Sequence, residues 1–226
     1  MSGSCYRFTS RRNAERVVMA DPTVFVVDDD KGVRRSLTAL GRAHGLAVEA
    51  YASGEAFLAA FDPMRPGCLV LDVRLAGGKN GLDLQDELRR RGHELPVIVV
   101  TGYANVSASV RSFRSGAVDF LEKPVRPRVL LERIRGALAA DQRRLERAAV
   151  RSRLARLTAR EKEVAELLVK GKRSKEVAGA LGISTRTAEG HRRQVLRKME
   201  VGSMAELATA WLTQSTSSGA TTQSSP

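Results

Sequence analysis

Short apolar runs alternate with helical patterns over residues 23–121. The runs are TVFVV (23–27), VEAY (48–51), CLVL (68–71), PVIVV (96–100) and AVDFL (117–121). Between them, residues 31–44, 53–61, 80–92 and 103–115 carry apolar positions at helical spacing, as Val33, Leu37 and Leu40 do. Strand alternating with helix predicts an α/β domain: a doubly wound, five-stranded parallel sheet with helices on both faces. In such a sheet, sites form at the carboxyl ends of the strands.

After Pro127 the pattern changes and no further strand follows. Val129, Leu130, Ile134, Leu138 and Leu145 stand among charges, which predicts a helix running on into an arginine-rich connector over 141–154. LTAREKEVAELLVKG (157–171) begins with a capping box, Thr158 three residues before Glu161, and stops at Gly171. SKEVAGALGIS (174–184) predicts a short helix and a turn at Gly182, after which Ser184 caps the helix TRTAEGHRRQVLRKM. Helix, glycine turn and second helix make a helix-turn-helix. A last helix near 203–212 closes a second, smaller all-α domain over 155–213. Residues 1–20 lack periodicity, with a second start at Met19, and read as a disordered or spurious extension. The Ser/Thr-rich stretch 214–226 reads as a disordered tail.

Charge sharpens this division. The net charge is +13; residues 23–127 hold 14 basic and 13 acidic side chains, while 151–226 hold 14 and 7. A basic balance confined to the C-terminal region is the footprint of a nucleic-acid partner. No run approaches the ~18 apolar residues of a membrane span, so a cytoplasmic protein without membrane contact is expected. Two cysteines, Cys5 and Cys68, make neither a disulfide framework nor a metal spacing.

The strand ends carry the chemistry. The first predicted strand ends in Asp28, Asp29 and Asp30, the third in Asp72, the fourth in Thr101, and the fifth is followed by Lys123-Pro124. If the first and third strands are neighbours, the carboxylates face one another and repel, and a hard, oxygen-liganded cation such as Mg²⁺ suits them. Asp72 is then a candidate nucleophile for a phosphoryl group whose oxygens Thr101 and Lys123 bind.

The segments VFVVDDDKGVRRSL, CLVLDVRL, VIVVTGYANV and AVDFLEKPV together resemble the receiver domain of two-component response regulators, a flavodoxin-like fold, over 21–140. The resemblance implies that Asp72 accepts a phosphoryl group from a sensor histidine kinase. It also implies that Asp29 ligates Mg²⁺ directly, Asp28 through water, and Arg74 through its backbone carbonyl, with Asp30 peripheral. Thr101 and Phe120 match the family's switch pair, and Lys123-Pro124 would be joined by a cis bond. The C-terminal region is similar to the LuxR-type helix-turn-helix, and the combination is that of the FixJ/NarL class of transcription factors.

In that second domain Ala188, Val195 and Met199 form the inward stripe of the recognition helix, with His191 beside it. Glu189, Arg193 and Arg197 point outward, Arg193 towards guanine and Glu189 towards cytosine. Lys175, Thr187, Arg192 and Lys198 suit phosphates. The partners expected are double-stranded DNA with two half-sites, the kinase, a second copy of the phosphorylated chain, and RNA polymerase as a further candidate.

Two rivals stand beside this reading. A haloacid-dehalogenase-like phosphohydrolase would need a second aspartate two residues after the nucleophile, where Arg74 stands, so an enzyme is not expected. A phosphorylation-independent DNA-binding regulator, its receiver serving only for dimerisation or docking, is the alternative. The stretch after Asp72 departs from the family: Ala76 replaces a proline, and the glycine comes at position 81, nine residues on, which reads as a one-residue insertion around Gly77-Gly78.

Overall fold

The computed structural model describes residues 21–75, 80–102 and 106–215. The chain forms two compact units that divide between Ala149 and Val150. In the first, strands β1 (Thr23–Val27), β2 (Ala47–Tyr51), β3 (Gly67–Leu71), β4 (Val97–Thr101) and β5 (Ala117–Glu122) alternate with helices α1 (Lys31–Ala43), α2 (Gly54–Ala60), α3 (Gly81–Arg90), α4 (Val106–Arg114) and α5 (Pro127–Ala155). The sheet order is β2-β1-β3-β4-β5, all parallel. Strands β1, β3 and β4 are buried at every residue, as expected for central strands covered on both faces.

The two-residue alternation of a strand sorts their side chains into two cores. Phe25, Val27, Leu69, Leu71, Val97 and Val99 pack with Phe57, Leu82, Leu84 and Leu88 of α2 and α3. Val24, Val26, Cys68, Val70, Ile98 and Val100 pack with Leu37 and Leu40 of α1 and Leu130, Ile134 and Leu138 of α5. Burial pushes the Cys68 thiol up to about 12, so it is a neutral core group and not a reactive one.

Helix α5 departs from the expected connector. It continues without a break through 141–154, because Leu145, Val150 and Leu154 keep the helical period past the first unit's core. Its Asp141 is buried and accepts from the Gly67 backbone N–H at 2.9 Å and from Arg144 Nε at 2.8 Å. That carboxylate ties the helix to the first residue of β3. Gly67 itself is enforced there: a Cβ would lie 2.5 Å from the Phe25 ring and 2.7 Å from the Thr23 carbonyl oxygen.

The second unit holds α6 (Ala159–Val169), α7 (Ser174–Leu181), α8 (Thr185–Met199) and α9 (Met204–Ser215). Its core is Leu157, Val164, Ala165, Leu168, Val177, Ala178, Ala188, Val195, Met199 and Leu207, with Val150 and Leu154 packed against it. The capping box is present: Thr158 Oγ1 accepts from Glu161 N–H at 3.2 Å, and Glu161 Oε2 accepts from Thr158 N–H at 2.8 Å. Gly182, left-handed at φ 64°, ends α7, and Ser184 caps α8 through the Thr187 N–H at 3.1 Å. Helix α9 runs two residues into the expected tail, its Thr209 and Thr213 hydroxyls donating to carbonyls one turn earlier. The expected extension 1–20 and residues 216–226 lie outside the described residues, as do Ala76 to Lys79, so the reading of Ala76 and Gly77-Gly78 has no structural counterpart.

Candidate phosphoacceptor site and DNA-binding helix

Neighbouring β1 and β3 bring the acidic residues together. Val27 pairs with Leu71, and the Asp72 N–H donates to the Val27 carbonyl at 3.0 Å, so Asp28 and Asp72 leave the sheet side by side. On the other side, β4 delivers Thr101, which is fully buried, and β5 ends where Lys123 begins; the Lys123 N–H donates to the Thr101 carbonyl at 2.9 Å. Asp29, Asp72, Arg74, Leu75, Thr101, Gly102 and Lys123 line an open depression of about 280 Å³.

Lys123 Nζ sits between the carboxylates of half-buried Asp72 and buried Asp28, 2.6 Å from Asp72 Oδ2 and 2.9 Å from Asp28 Oδ2. Burial pushes the Asp28 carboxyl above its ordinary value, and the Lys123 ammonium and the Asp30 N–H offset this only in part. Burial also weakens the charge on Lys123, yet its hydrogen bonds to Asp72 and Asp28 outweigh that and hold the ammonium above its ordinary value. The group is thus a cation held by two acids, open to solvent on one side. The Lys123-Pro124 peptide is cis, as expected.

Each acid of the first loop has its own surroundings. Asp30 is peripheral, as read from the sequence: it caps α1, accepting from the Gly32 N–H at 2.6 Å and the Val33 N–H at 3.1 Å. Asp29 is exposed at the mouth of the depression. Arg34 was not singled out from sequence, yet its Nη1 donates to the Asp28 carbonyl at 2.7 Å and the Asp29 carbonyl at 2.8 Å, clamping the loop from α1. Nothing in VRRSL distinguishes Arg34 from Arg35; only the turn of α1 does.

The backbone after Asp72 is equally fixed. The Arg74 N–H donates to Asp72 Oδ1 at 3.2 Å, Arg74 bridges to Asn80, and the Gly81 N–H donates to the Val73 carbonyl at 2.7 Å. A Cβ on Gly81 would sit 2.0 Å from the Asp72 carbonyl oxygen, so the start of α3 rests directly on Asp72. Phe120 is half-buried against the core on the α2/α3 face, opposite Val99 in the register.

Among the described residues no three His, Cys, Asp or Glu side chains form a ready-made metal cage. The carboxylates lining the depression are those of Asp29 and Asp72, with Asp28 joined to them through Lys123, and Arg74 lines it as well. Few carboxylates around an open site fit Mg²⁺, which keeps several of its waters, better than a cation needing a full protein cage.

In the second unit Ala188, Val195 and Met199 are buried, as expected, and His191 is half-buried beside them. Lys175, Thr187, Glu189, Arg193 and Arg197 are exposed, and Arg192 is half-buried. Thr187 Oγ1 lies 2.8 Å from Ser184 Oγ, within the cap of α8. Lys198 is the exception to the expected phosphate set: its Nζ lies 2.6 Å from Glu161 Oε2, and Glu161 is buried. That pairing holds the Glu161 carboxyl below its ordinary value against the effect of burial. Lys198 closes the capping box of α6, a role that a partner 37 residues away hides from sequence.

Comparison with known proteins assigns both units to families. Residues 24–135 match the family model described as response regulator receiver domain, and 155–211 match bacterial regulatory proteins, luxR family. The chain is 44% identical over 188 residues to the transcriptional regulatory protein FixJ of Azorhizobium caulinodans, covering 81% of this chain and 89% of that protein. It is 42% identical over 188 residues to nodulation protein W of Bradyrhizobium diazoefficiens, covering 81% and 82%. Among solved structures, the response regulator StyR aligns with a TM-score of 0.63 at 36% identity over 85% of this chain and 99% of that one. Full-length FixJ from B. japonicum aligns with a TM-score of 0.51 at 32% identity over 86% and 97%.

Proposed function

Since the chain belongs to the two-component response regulators of the FixJ/NarL class, a receiver domain joined to a LuxR-type DNA-binding domain, we propose that a sensor histidine kinase phosphorylates Asp72 to control its DNA binding. The observation that supports this most is the placement of Lys123 Nζ between Asp72 and Asp28 at the edge of an open depression that Thr101 also lines. In the transfer, an Asp72 carboxylate oxygen forms the new bond to phosphorus as the bond to the donor's nitrogen breaks. Lys123 pairs with a phosphoryl oxygen and Thr101 donates to another. Asp29, Asp72 and the Arg74 carbonyl would hold Mg²⁺ directly and Asp28 through water; when bound, the ion neutralises charge on the phosphoryl oxygens. Phe120, half-buried next to this edge, is the element that repacks.

The product is a regulatory state. The chain serves as phosphoacceptor and transcription regulator, not as an enzyme with a separate substrate, and it acts in the cytoplasm. Among the described residues no helix is long and apolar enough to cross a membrane. Phosphorylation favours a receiver dimer that aligns two C-terminal domains on two half-sites, from which RNA polymerase is contacted. Footprinting and sedimentation with and without phosphorylation test this. The expected result is a dimer protecting two half-sites with higher affinity after phosphorylation. A lone half-site, with affinity and mass unchanged, contradicts it and favours the phosphorylation-independent alternative.

A further inference from the structure

Helix α8 carries a glycine, Gly190, where the fold does not ask for one. Ala188, Val195 and Met199 turn one side of this helix into the core. At 3.6 residues per turn, Arg186, Gly190, Arg193 and Arg197 run along the opposite side. The three arginines are exposed. Gly190 stays in the regular helix without a positive φ, and a Cβ built on it meets nothing within 4 Å. Neither a turn nor close packing within the chain therefore requires glycine there, although glycine loses more backbone freedom on entering a helix than alanine does.

The surroundings of Gly190 set it apart from two other helix-interior glycines whose Cβ would also meet open space. Gly136 in α5 has Glu132 four residues before it, and Gly179 in α7 has Glu176 three residues before it. Around Gly190, the positions three and four residues away hold Arg186, Thr187, Arg193 and Gln194, with no acid. Arg186 stands one turn before the glycine and Arg193 one turn after it; Arg197, a further turn on, donates to Gln194 Oε1 at 2.6 Å. Bare backbone between two cations suits a polyanion that comes close in the middle and meets charge on both sides, and glycine is where a backbone can approach a ligand most closely. In a helix-turn-helix it is the first residues of the second helix that contact base edges, and Gly190 is the sixth residue of α8. We propose that Gly190 is the point at which α8 comes closest to the floor of the major groove, and that this depth lets Arg186 and Arg193 reach base edges. The proposal rests on the DNA-binding reading above and adds Gly190 and Arg186 to it as specificity-determining residues.

The test sets stability against binding in the full chain. Trp211, the chain's one tryptophan, packs against the core of the second unit, so its fluorescence follows the melting of that unit. In Gly190→Ala the melting midpoint is expected to rise by about 2–8 °C, as for any unconstrained glycine inside a helix. At fixed salt and in one phosphorylation state, the same variant should bind the duplex that the wild type selects from random sequence with affinity lower by about tenfold or more, because the added methyl group holds the helix off the groove. Binding to a scrambled duplex, carried by phosphate contacts, should change by less than about threefold. Arg186→Ala should likewise lose about tenfold or more on the selected duplex alone. A raised midpoint with unchanged affinity for the selected duplex, or an equal loss on both duplexes in either variant, overturns the proposal while leaving the helix-turn-helix reading intact. A midpoint that does not rise shows that the fold itself needs the glycine, and overturns the proposal as well. A wild type that binds both duplexes alike overturns the DNA-binding reading together with the proposal.

Discussion

Lys123 in the receiver unit and Lys198 in the C-terminal unit make nearly the same contact and do different things. Each is a little over a quarter exposed, at 28% and 27%, and each has its Nζ 2.6 Å from a carboxylate oxygen. Lys198 meets one acid, Glu161, whose same oxygen already accepts from the Thr158 N–H, so the charges balance inside a helix cap. Lys123 meets two acids, Asp28 and Asp72, with exposed Asp29 beside them, at an open depression. The first arrangement is closed and electrically complete. The second has negative charge left over and room beside it, which is what a site for a cation and a phosphoryl group requires.

Five substitutions strain this comparison, and the largest effect falls on the receiver side. Gly81→Ala places a methyl group where the Asp72 carbonyl lies and is expected to destabilise the receiver by about 2–4 kcal/mol, with loss of phosphorylation at a temperature where the wild type is labelled. A denaturant midpoint equal to wild type contradicts the close approach. Next, Asp141→Ala removes a buried charge that has no opening beside it. It leaves the Gly67 N–H and Arg144 without their acceptor, for about 3 kcal/mol, yet labelling of the folded protein should be unaffected. Slower labelling under folding conditions would place Asp141 with Lys123 and not with Lys198.

The third change uses pH. The native state holds the Glu161 carboxyl below its ordinary value, first through Lys198, so the unfolded chain takes up its proton before the folded one does. The stabilisation is therefore complete above the unfolded carboxylate value of about 4.3 and is lost as pH falls through the depressed native one. Thermal melts should show this acid limb in the C-terminal transition, and Lys198→Gln should flatten it without changing phosphorylation. A wild-type limb surviving in Lys198→Gln would assign the effect to another group. The smallest effects belong to exposed charges. Arg193→Ala should cost about 1–3 kcal/mol of discrimination between bases, whereas Lys175→Ala should weaken all sequences alike and make the salt slope shallower by about 1. Equal loss of discrimination in both variants would remove this division of roles.

The same contrast explains what the sequence could disclose. The five strands and the residues at or just beyond their ends, Asp28, Asp29, Asp72, Thr101 and Lys123, were legible because a strand and its end are local features. Ala188, Val195 and Met199 were legible for the same reason, through the period of one helix. Partners far apart in the chain were not. Lys198 read as a phosphate ligand because Glu161 lies 37 residues before it, and Asp141 passed as a connector residue because Gly67 lies 74 residues away. Arginine-rich composition likewise suggested a connector where apolar residues at helical spacing carry α5 through to Ala155.

The most direct measurement is labelling of the purified full-length chain by a small acyl phosphate in the presence of Mg²⁺, read as intact mass and then as the modified peptide. The account predicts one phosphoryl group on the wild type, located at Asp72, none on Asp72→Asn, and strongly reduced labelling when Mg²⁺ is chelated. A wild type that stays unlabelled, or an Asp72→Asn variant that labels as well as the wild type, would contradict it.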